Sequence, residues 1–211
     1  MHHLIDQLIS RYPVLEVCRE DIWQAYCLLE QTYAQGGKLL IAGNGGSAAD
    51  AEHIVGELMK SFVLERKLGD ALCQQLNAVD PEMGPVLAQN LQGALPAIAL
   101  DGHFALATAY QNDCAPALCF AQQVHGYGTA KDTFWGISTS GNSANVLYAA
   151  TVAKAKGMAV IGLTGEKPSK LSALADVCIQ VPESQTYRVQ ELHLPVYHTL
   201  CLMLEQRFFG K

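Results

Sequence analysis

Polar and apolar positions along the 211-residue chain follow two alternating periods. Over the first 35 residues Leu4, Ile5, Leu8 and Ile9, and then Ile22, Ala25, Tyr26 and Leu29, recur at the spacing of a helix face, with a break near Pro13. Gly36-Gly37 ends this region. The period then changes. Positions 38–42 (Lys-Leu-Leu-Ile-Ala) form a short apolar run, followed at once by Gly43-Asn44-Gly45-Gly46-Ser47 and a helical stretch. Further apolar runs lie at 95–100, 133–137, 158–163 and 177–181, separated by amphipathic stretches of helical length. Runs that are apolar on both faces and alternate with helices predict a parallel sheet covered on both sides. The expected fold is α/β: a doubly wound, five-stranded, three-layer αβα architecture with an N-terminal helical extension over 1–35. Such sheets bind ligands beyond the carboxyl ends of their strands.

The stretch 67–94 interrupts this regularity. It holds Gly69, Pro81, Gly84, Pro85 and Gly93, yet 68–76 has the pattern of a helix. It is expected to be an inserted excursion over the surface, leaving 1–211 as one domain, a size that buries a substantial core.

Composition narrows the function. Half the residues are apolar, 16% are charged and the formal charge is -6, with no Lys/Arg cluster. Nucleic acid is therefore disfavoured as a ligand, because backbone binding needs a positive patch. The seven cysteines are odd in number, form no C-x-x-C pair and sit mostly in apolar runs, which suits a reduced compartment. No signal segment or membrane-length apolar run is visible, so a soluble, cytoplasmic protein is expected.

Two loops carry the chemistry. Ser138-Thr139-Ser140-Gly141-Asn142-Ser143 follows the run at 133–137 and opens a helix over 144–156. Four hydroxyls, a glycine and free helix N–H donors suit a dianionic phosphate. A plain helix cap needs only one of those hydroxyls. Asn44, Gly45, Gly46 and Ser47 form a second tight loop, which lacks the G-x-G-x-x-G spacing of a dinucleotide site. Paired with the serine loop at an adjacent strand, it makes the second wall of one pocket.

GNGGSAADAEH together with GISTSGNSANV, VIGLTG and the C-terminal RVQELHLPVYH resembles the sugar-isomerase (SIS) domain, a flavodoxin-like fold, over most of the chain outside 67–94. Within that fold these segments look most like phosphoheptose isomerases. The resemblance implies conversion of sedoheptulose 7-phosphate to a heptose 7-phosphate, a homotetramer with active sites at subunit interfaces, and zinc. It assigns His53 and Glu57 on the helix after the first loop, and Gln190 and His198 on the last helix, as metal ligands. Gln190 also belongs to the substrate-binding set. A spacing of four puts His53 and Glu57 on one helical face. Eight residues of helix rise about 12 Å, so Gln190 and His198 of one helix must reach toward each other to share a metal, which different subunits or a break in the helix would ease, and Pro195 lies between them.

An aldose–ketose isomerase moves a proton between adjacent carbons through an enediolate, and Glu57 and His198 are the expected acid/base pair. Two departures bear on the sugar. Where many phosphoheptose isomerases carry Arg, this chain has Ser61 preceded by Lys60, and the 67–94 excursion is longer than usual. The competing readings are a non-catalytic SIS protein, either one binding a sugar phosphate or one of the type associated with a replication initiator, a sugar-phosphate-sensing regulator, and an isomerase of another ketose phosphate. The non-catalytic subgroup lacks the Glu and the last His of the quartet, and both are present here.

Overall fold

The computed structural model describes residues 1–210. The N-terminal region forms α1 (His2–Arg11), a 3₁₀ segment (Pro13–Cys18) and α2 (Arg19–Ala34), so the break expected at Pro13 is a tighter helix rather than a loop. Five strands follow: β1 (Leu39–Ala42), β2 (Ala97–Ala99), β3 (Thr133–Ile137), β4 (Ala159–Thr164) and β5 (Val177–Gln180). Between them run α3 (Gly46–Met59), α4 (Asp70–Val79), α5 (Met83–Asn90), α6 (Phe104–Asp113), α7 (Cys119–Tyr127), α8 (Ala144–Ala155) and α9 (Lys170–Leu174); α10 (Thr186–Phe209) closes the chain.

The strands pair in parallel in the order β2-β1-β3-β4-β5. Alternate residues of each strand point to opposite faces. Leu39, Ile41, Trp135, Ile161 and Ile179 pack with residues of α1, α2, α3 and α10. Leu40, Ala42, Phe134 and Val160 pack beneath α8 on the other side. The order doubles back between β1 and β3, whose register runs from Leu39 opposite Thr133 to Ala42 opposite Gly136. That switch point is where an open α/β sheet leaves a crevice, and both singled-out loops begin there.

The 67–94 excursion is a helical hairpin, α4 against α5, closed at its root by an antiparallel bridge between Lys67 and Gln92. The helix expected over 68–76 starts and ends a little later, at Asp70–Val79. No residue of α4 is buried, as a surface excursion requires. No helix among the described residues is long and apolar enough to cross a membrane. All seven cysteines carry free thiols.

On the last helix Val196, Leu200 and Leu204 are buried within the chain against α1, α2 and α3. Leu194 stays exposed, and a groove of about 530 Å³ remains between α1 and α10, lined by Leu4, Arg11, Phe62, Leu194, His198 and Leu202.

A buried ion pair ties α3 to α10. Arg66 and Glu205 are each 1% exposed, and Arg66 Nε donates to Glu205 Oε1 at 2.7 Å. The guanidinium also donates to the carbonyls of Leu58 and Glu57 and lies over the Phe209 ring. Glu205 accepts three further N–H bonds from Phe62, Val63 and Leu64. Burial pushes the Glu205 carboxyl up, but the donors from Phe62, Val63, Arg66 and Leu64 outweigh it and hold the group below its ordinary range. Removing one partner of such a pair leaves an uncompensated buried charge, which costs about 3–5 kcal/mol. Glu205→Ala should therefore lower the unfolding free energy measured by urea titration by an amount of that order. In the parent, the stabilisation from the lowered Glu205 is complete above its unfolded value of about 4.3 and is lost as pH falls through the folded value. A Glu205→Ala protein should show a shallower loss of stability over that acid range.

Candidate active site

The first loop is built for a tight turn. Gly45 sits at φ 57°, where a side chain would be strained, and its carbonyl accepts from Ala48 and Ala49 to open α3. Asn44 and Asn145, 101 residues apart, exchange two amide hydrogen bonds of 3.0 and 2.8 Å. This reciprocal pair joins the first loop to the start of α8, so the two walls expected from sequence do meet.

The second wall follows β3. Ser138 is 4% exposed and its Oγ lies 2.9 Å from that of Ser143. Ser140 Oγ accepts from the Asn142 N–H, and Gly141 turns the chain at φ 62°. Asn142 Oδ1 accepts from the Lys170 N–H, which fastens the loop to α9. Thr139 and Ser140 line a cleft of about 260 Å³ with Gly165, Glu166 and Lys167 from beyond β4. Ser47, in the first turn of α3, is buried.

Gln190 of α10 crosses to the first loop. A Cβ built on Gly46 would lie 2.5 Å from Gln190 Nε2, so glycine there leaves room for the amide in this position, and a side chain would make the Gln190 side chain turn aside.

His53 and Glu57 share a face of α3, with His53 Nε2 3.2 Å from Glu57 Oε1. The His198 ring of α10 stands edge-on to His53, centroids 4.9 Å apart at 90°. These three come together within one chain. Gln190 lies further along α10, which runs unbroken through Pro195, and its amide sits against Gly46 of the first loop. The helix break that would have brought Gln190 and His198 to one point is absent. Glu57 is 9% exposed, and Lys60 Nζ reaches its other oxygen at 3.5 Å while also donating to the Ser61 carbonyl. Ser61 Oγ instead accepts from the Arg66 N–H, and its own N–H donates to Gln92 at the hairpin root. The His198 imidazole is pushed below its ordinary value by burial and by the neighbouring His53, against a smaller opposing effect of Glu57.

Two further residues complete the face. Asp50, His53 and Glu57 follow one another at i, i+3 and i+7 on α3. Tyr197 OH lies 2.9 Å from His53 Nδ1 and donates to Asp50 Oδ1 at 3.2 Å. Burial, with Asp50 beside it, pushes the Tyr197 phenol well above its ordinary value. Sequence reading passed over Asp50, Tyr197, Asn145, Arg66 and Glu205. Glu205 did leave a signal, as a lone acid closing the apolar run 200–204; the other four have none that a single chain displays.

A metal was expected at His53, Glu57, Gln190 and His198. Among the described residues no three His, Cys, Asp or Glu side chains stand in a ready-made metal-binding arrangement. The donor chemistry nonetheless fits a cation. With the Tyr197 proton directed to Asp50, the contact at His53 Nδ1 needs its proton on the imidazole. A neutral His53 then turns the lone pair of Nε2 toward a carboxylate oxygen. Two acceptors at that distance need a proton or a cation between them. His198 Nε2 is buried without a hydrogen-bond partner.

Comparison with known proteins places these features. The SIS domain family model matches residues 84–165. The phosphoheptose isomerase of Aneurinibacillus thermoaerophilus is 37% identical over 85% of this chain and 77% of that protein. The phosphoheptose isomerase of Nitratiruptor sp. is 35% identical over 99% of this chain and the whole of its own. Among solved structures, phosphoheptose isomerase GmhA from Neisseria gonorrhoeae superposes with a TM-score of 0.74 at 32% identity, covering 97% of this chain and 95% of its own.

The serine loop gives a direct test of anion binding. A Ser138/Ser140/Ser143 triple alanine variant removes hydroxyls whose bonds to a charged group contribute about 1.5–3 kcal/mol each. Titration with inorganic phosphate or a sugar phosphate should show binding at least about tenfold weaker, with the circular dichroism spectrum unchanged. Unchanged affinity would remove these serines from the site.

Proposed function

The chain belongs to the phosphoheptose isomerase family of the SIS fold, and we propose that it interconverts sedoheptulose 7-phosphate and D-glycero-D-manno-heptose 7-phosphate. It is a phosphosugar isomerase by that membership. The observation that carries the proposal is the grouping of Glu57, His53 and His198 one helix length away from the anion loops. Seven residues of α3 separate Gly46 from His53, an axial rise of about 10 Å. From C1 or C2 of sedoheptulose 7-phosphate to its phosphorus an extended chain spans roughly 8–10 Å. A three-carbon substrate reaches about half as far, so the spacing favours a long sugar with its phosphate at the serine loop.

In the forward direction a proton leaves C1 and returns to C2, while the hydroxyl proton of O1 is lost and O2 gains one; nothing is consumed. Glu57 and His198 share these transfers. Glu57 presents a buried carboxylate, and Arg66 fixes the backbone there by donating to the Glu57 carbonyl. His198, depressed by burial, is neutral and able to accept a proton. Asn44, Gly45, Gly46 and Ser47, with Ser138, Thr139, Ser140 and Ser143, hold the phosphate end, and Gln190 lies where the first loop meets α10. Zinc is the cofactor this donor set would suit: His53, Glu57 and His198, with Gln190, would hold it. It would supply Lewis-acid polarisation of the substrate oxygens, the proton transfers of Glu57 and His198 then requiring that each exchange off the metal.

The protein is further proposed to be a cytoplasmic homotetramer whose active sites lie at subunit interfaces. Support comes from the groove between α1 and α10, which opens beside His198 with Leu4, Leu194 and Leu202 along it. A second copy seated there would cover apolar surface and reach the acid/base group at once. Light scattering at micromolar concentration should give four times the chain mass, and a monomer mass would end this part of the proposal.

Pure protein offered a panel of ketose phosphates should turn over sedoheptulose 7-phosphate in preference to shorter sugars. Glu57→Gln keeps the shape of the side chain but not a carboxylate base, and should lower turnover by about 100- to 10,000-fold. Zinc content is measured on the same sample. Near-parental turnover with zinc still bound would show that Glu57 is no catalytic base.

A further inference from the structure

We propose that Tyr197 and Asp50 act as a positioning relay that fixes the proton of His53 on Nδ1 and so keeps its Nε2 lone pair turned to Glu57. This rests on the reading above that His53 and Glu57 share a cation. Neither Tyr197 nor Asp50 meets the substrate or the cation in this role; both act through His53.

The geometry gives the relay its direction. A phenol has one proton and two lone pairs, and Tyr197 OH has two neighbours, His53 Nδ1 at 2.9 Å and Asp50 Oδ1 at 3.2 Å. A carboxylate only accepts, so the Tyr197 proton goes to Asp50 and the His53 contact is a bond only if Nδ1 donates. Tyr197 is 1% exposed, so its hydroxyl depends on these two partners. The ring is also held from the side, packed edge-on at 5.5 Å to Tyr197 and 4.9 Å to His198.

The relay is needed because the neighbourhood of Nε2 pulls the other way. Glu57 Oε1 at 3.2 Å would readily accept a proton from Nε2. In that tautomer the lone pair would point at Tyr197 and Nε2 would be closed to a cation. Asp50, one turn before His53 on the same face of α3, decides the competition by claiming the phenolic proton. Outer-shell partners of this kind orient a ligating imidazole and raise its basicity, and losing them typically weakens metal affinity about 10- to 100-fold.

Two variants and one control test it. Tyr197→Phe removes the acceptor for Nδ1–H. Asp50→Ala frees the phenolic proton to turn to Nδ1. Nitrogen-15 NMR of the metal-free protein, at a pH where the imidazole is neutral, should find His53 protonated at Nδ1 in the parent and shifted toward Nε2 in both variants. Zinc affinity, measured by competition with a chromophoric chelator, should fall about 10- to 100-fold in both, although no proposed ligand has been changed. A parent His53 protonated at Nε2, or variants with parental tautomer and zinc affinity, would overturn the relay. His53→Ala separates the two levels of the proposal. If it binds zinc as the parent does, the metal reading fails, and the tautomer measurement alone decides for or against the relay.

Discussion

The buried pairing of Arg66 with Glu205 is the constraint on which the site depends. Its guanidinium holds the carbonyls of Glu57 and Leu58 at the end of α3, and its carboxylate partner belongs to the last turns of α10. The same carboxylate collects the N–H groups of the segment leaving α3. Two helices that meet nowhere in sequence are thus fixed end to end by one charged pair in a place without water. Desolvation makes each charge costly alone, so the arrangement tolerates little displacement. His53, Glu57, Tyr197 and His198 lie on those two helices and inherit their relative placement.

The opposite end of α3 is fixed by neutral groups. Glycine at 45 supplies a left-handed turn, glycine at 46 lets the Gln190 amide come close, and the Asn44–Asn145 pair locks the first loop to α8. The helix therefore runs from the loops at the β1/β3 switch point toward the α1–α10 groove, carrying His53 and Glu57 along one face. The helical hairpin of 67–94 springs from the C-terminal end of α3, where Gln92 holds the Ser61 backbone. Here Ser61 serves the hairpin root, and Lys60 is the cation beside Glu57, on the opposite side from His53.

Within that frame, the protonation pattern around His53 follows from counting donors. With Asp50 taking the phenolic proton, the proposed relay places the imidazole proton on Nδ1 and turns the Nε2 lone pair toward Glu57.

The sequence by itself determined the fold and much of the site. Short runs apolar on both faces that alternate with helical stretches point to parallel strands, and 133–137 matches β3 residue for residue because every residue there is buried. The placement of His53 beside Glu57 follows from helical periodicity alone. Tertiary structure decided what depends on contacts between distant segments. Arg66 in its charged run reads as a surface residue, and only the approach of α10 buries it. Tyr197 reads as one more apolar position on a helix, and only the crossing of α3 gives its hydroxyl two partners. Gln190 fits a ligand set by its spacing from His198, and only the packing of α10 beside α3 shows its amide against Gly46. Periodicity reports which face of an element is buried; it does not report what lies across the gap, because that is set by how helices pack on the sheet.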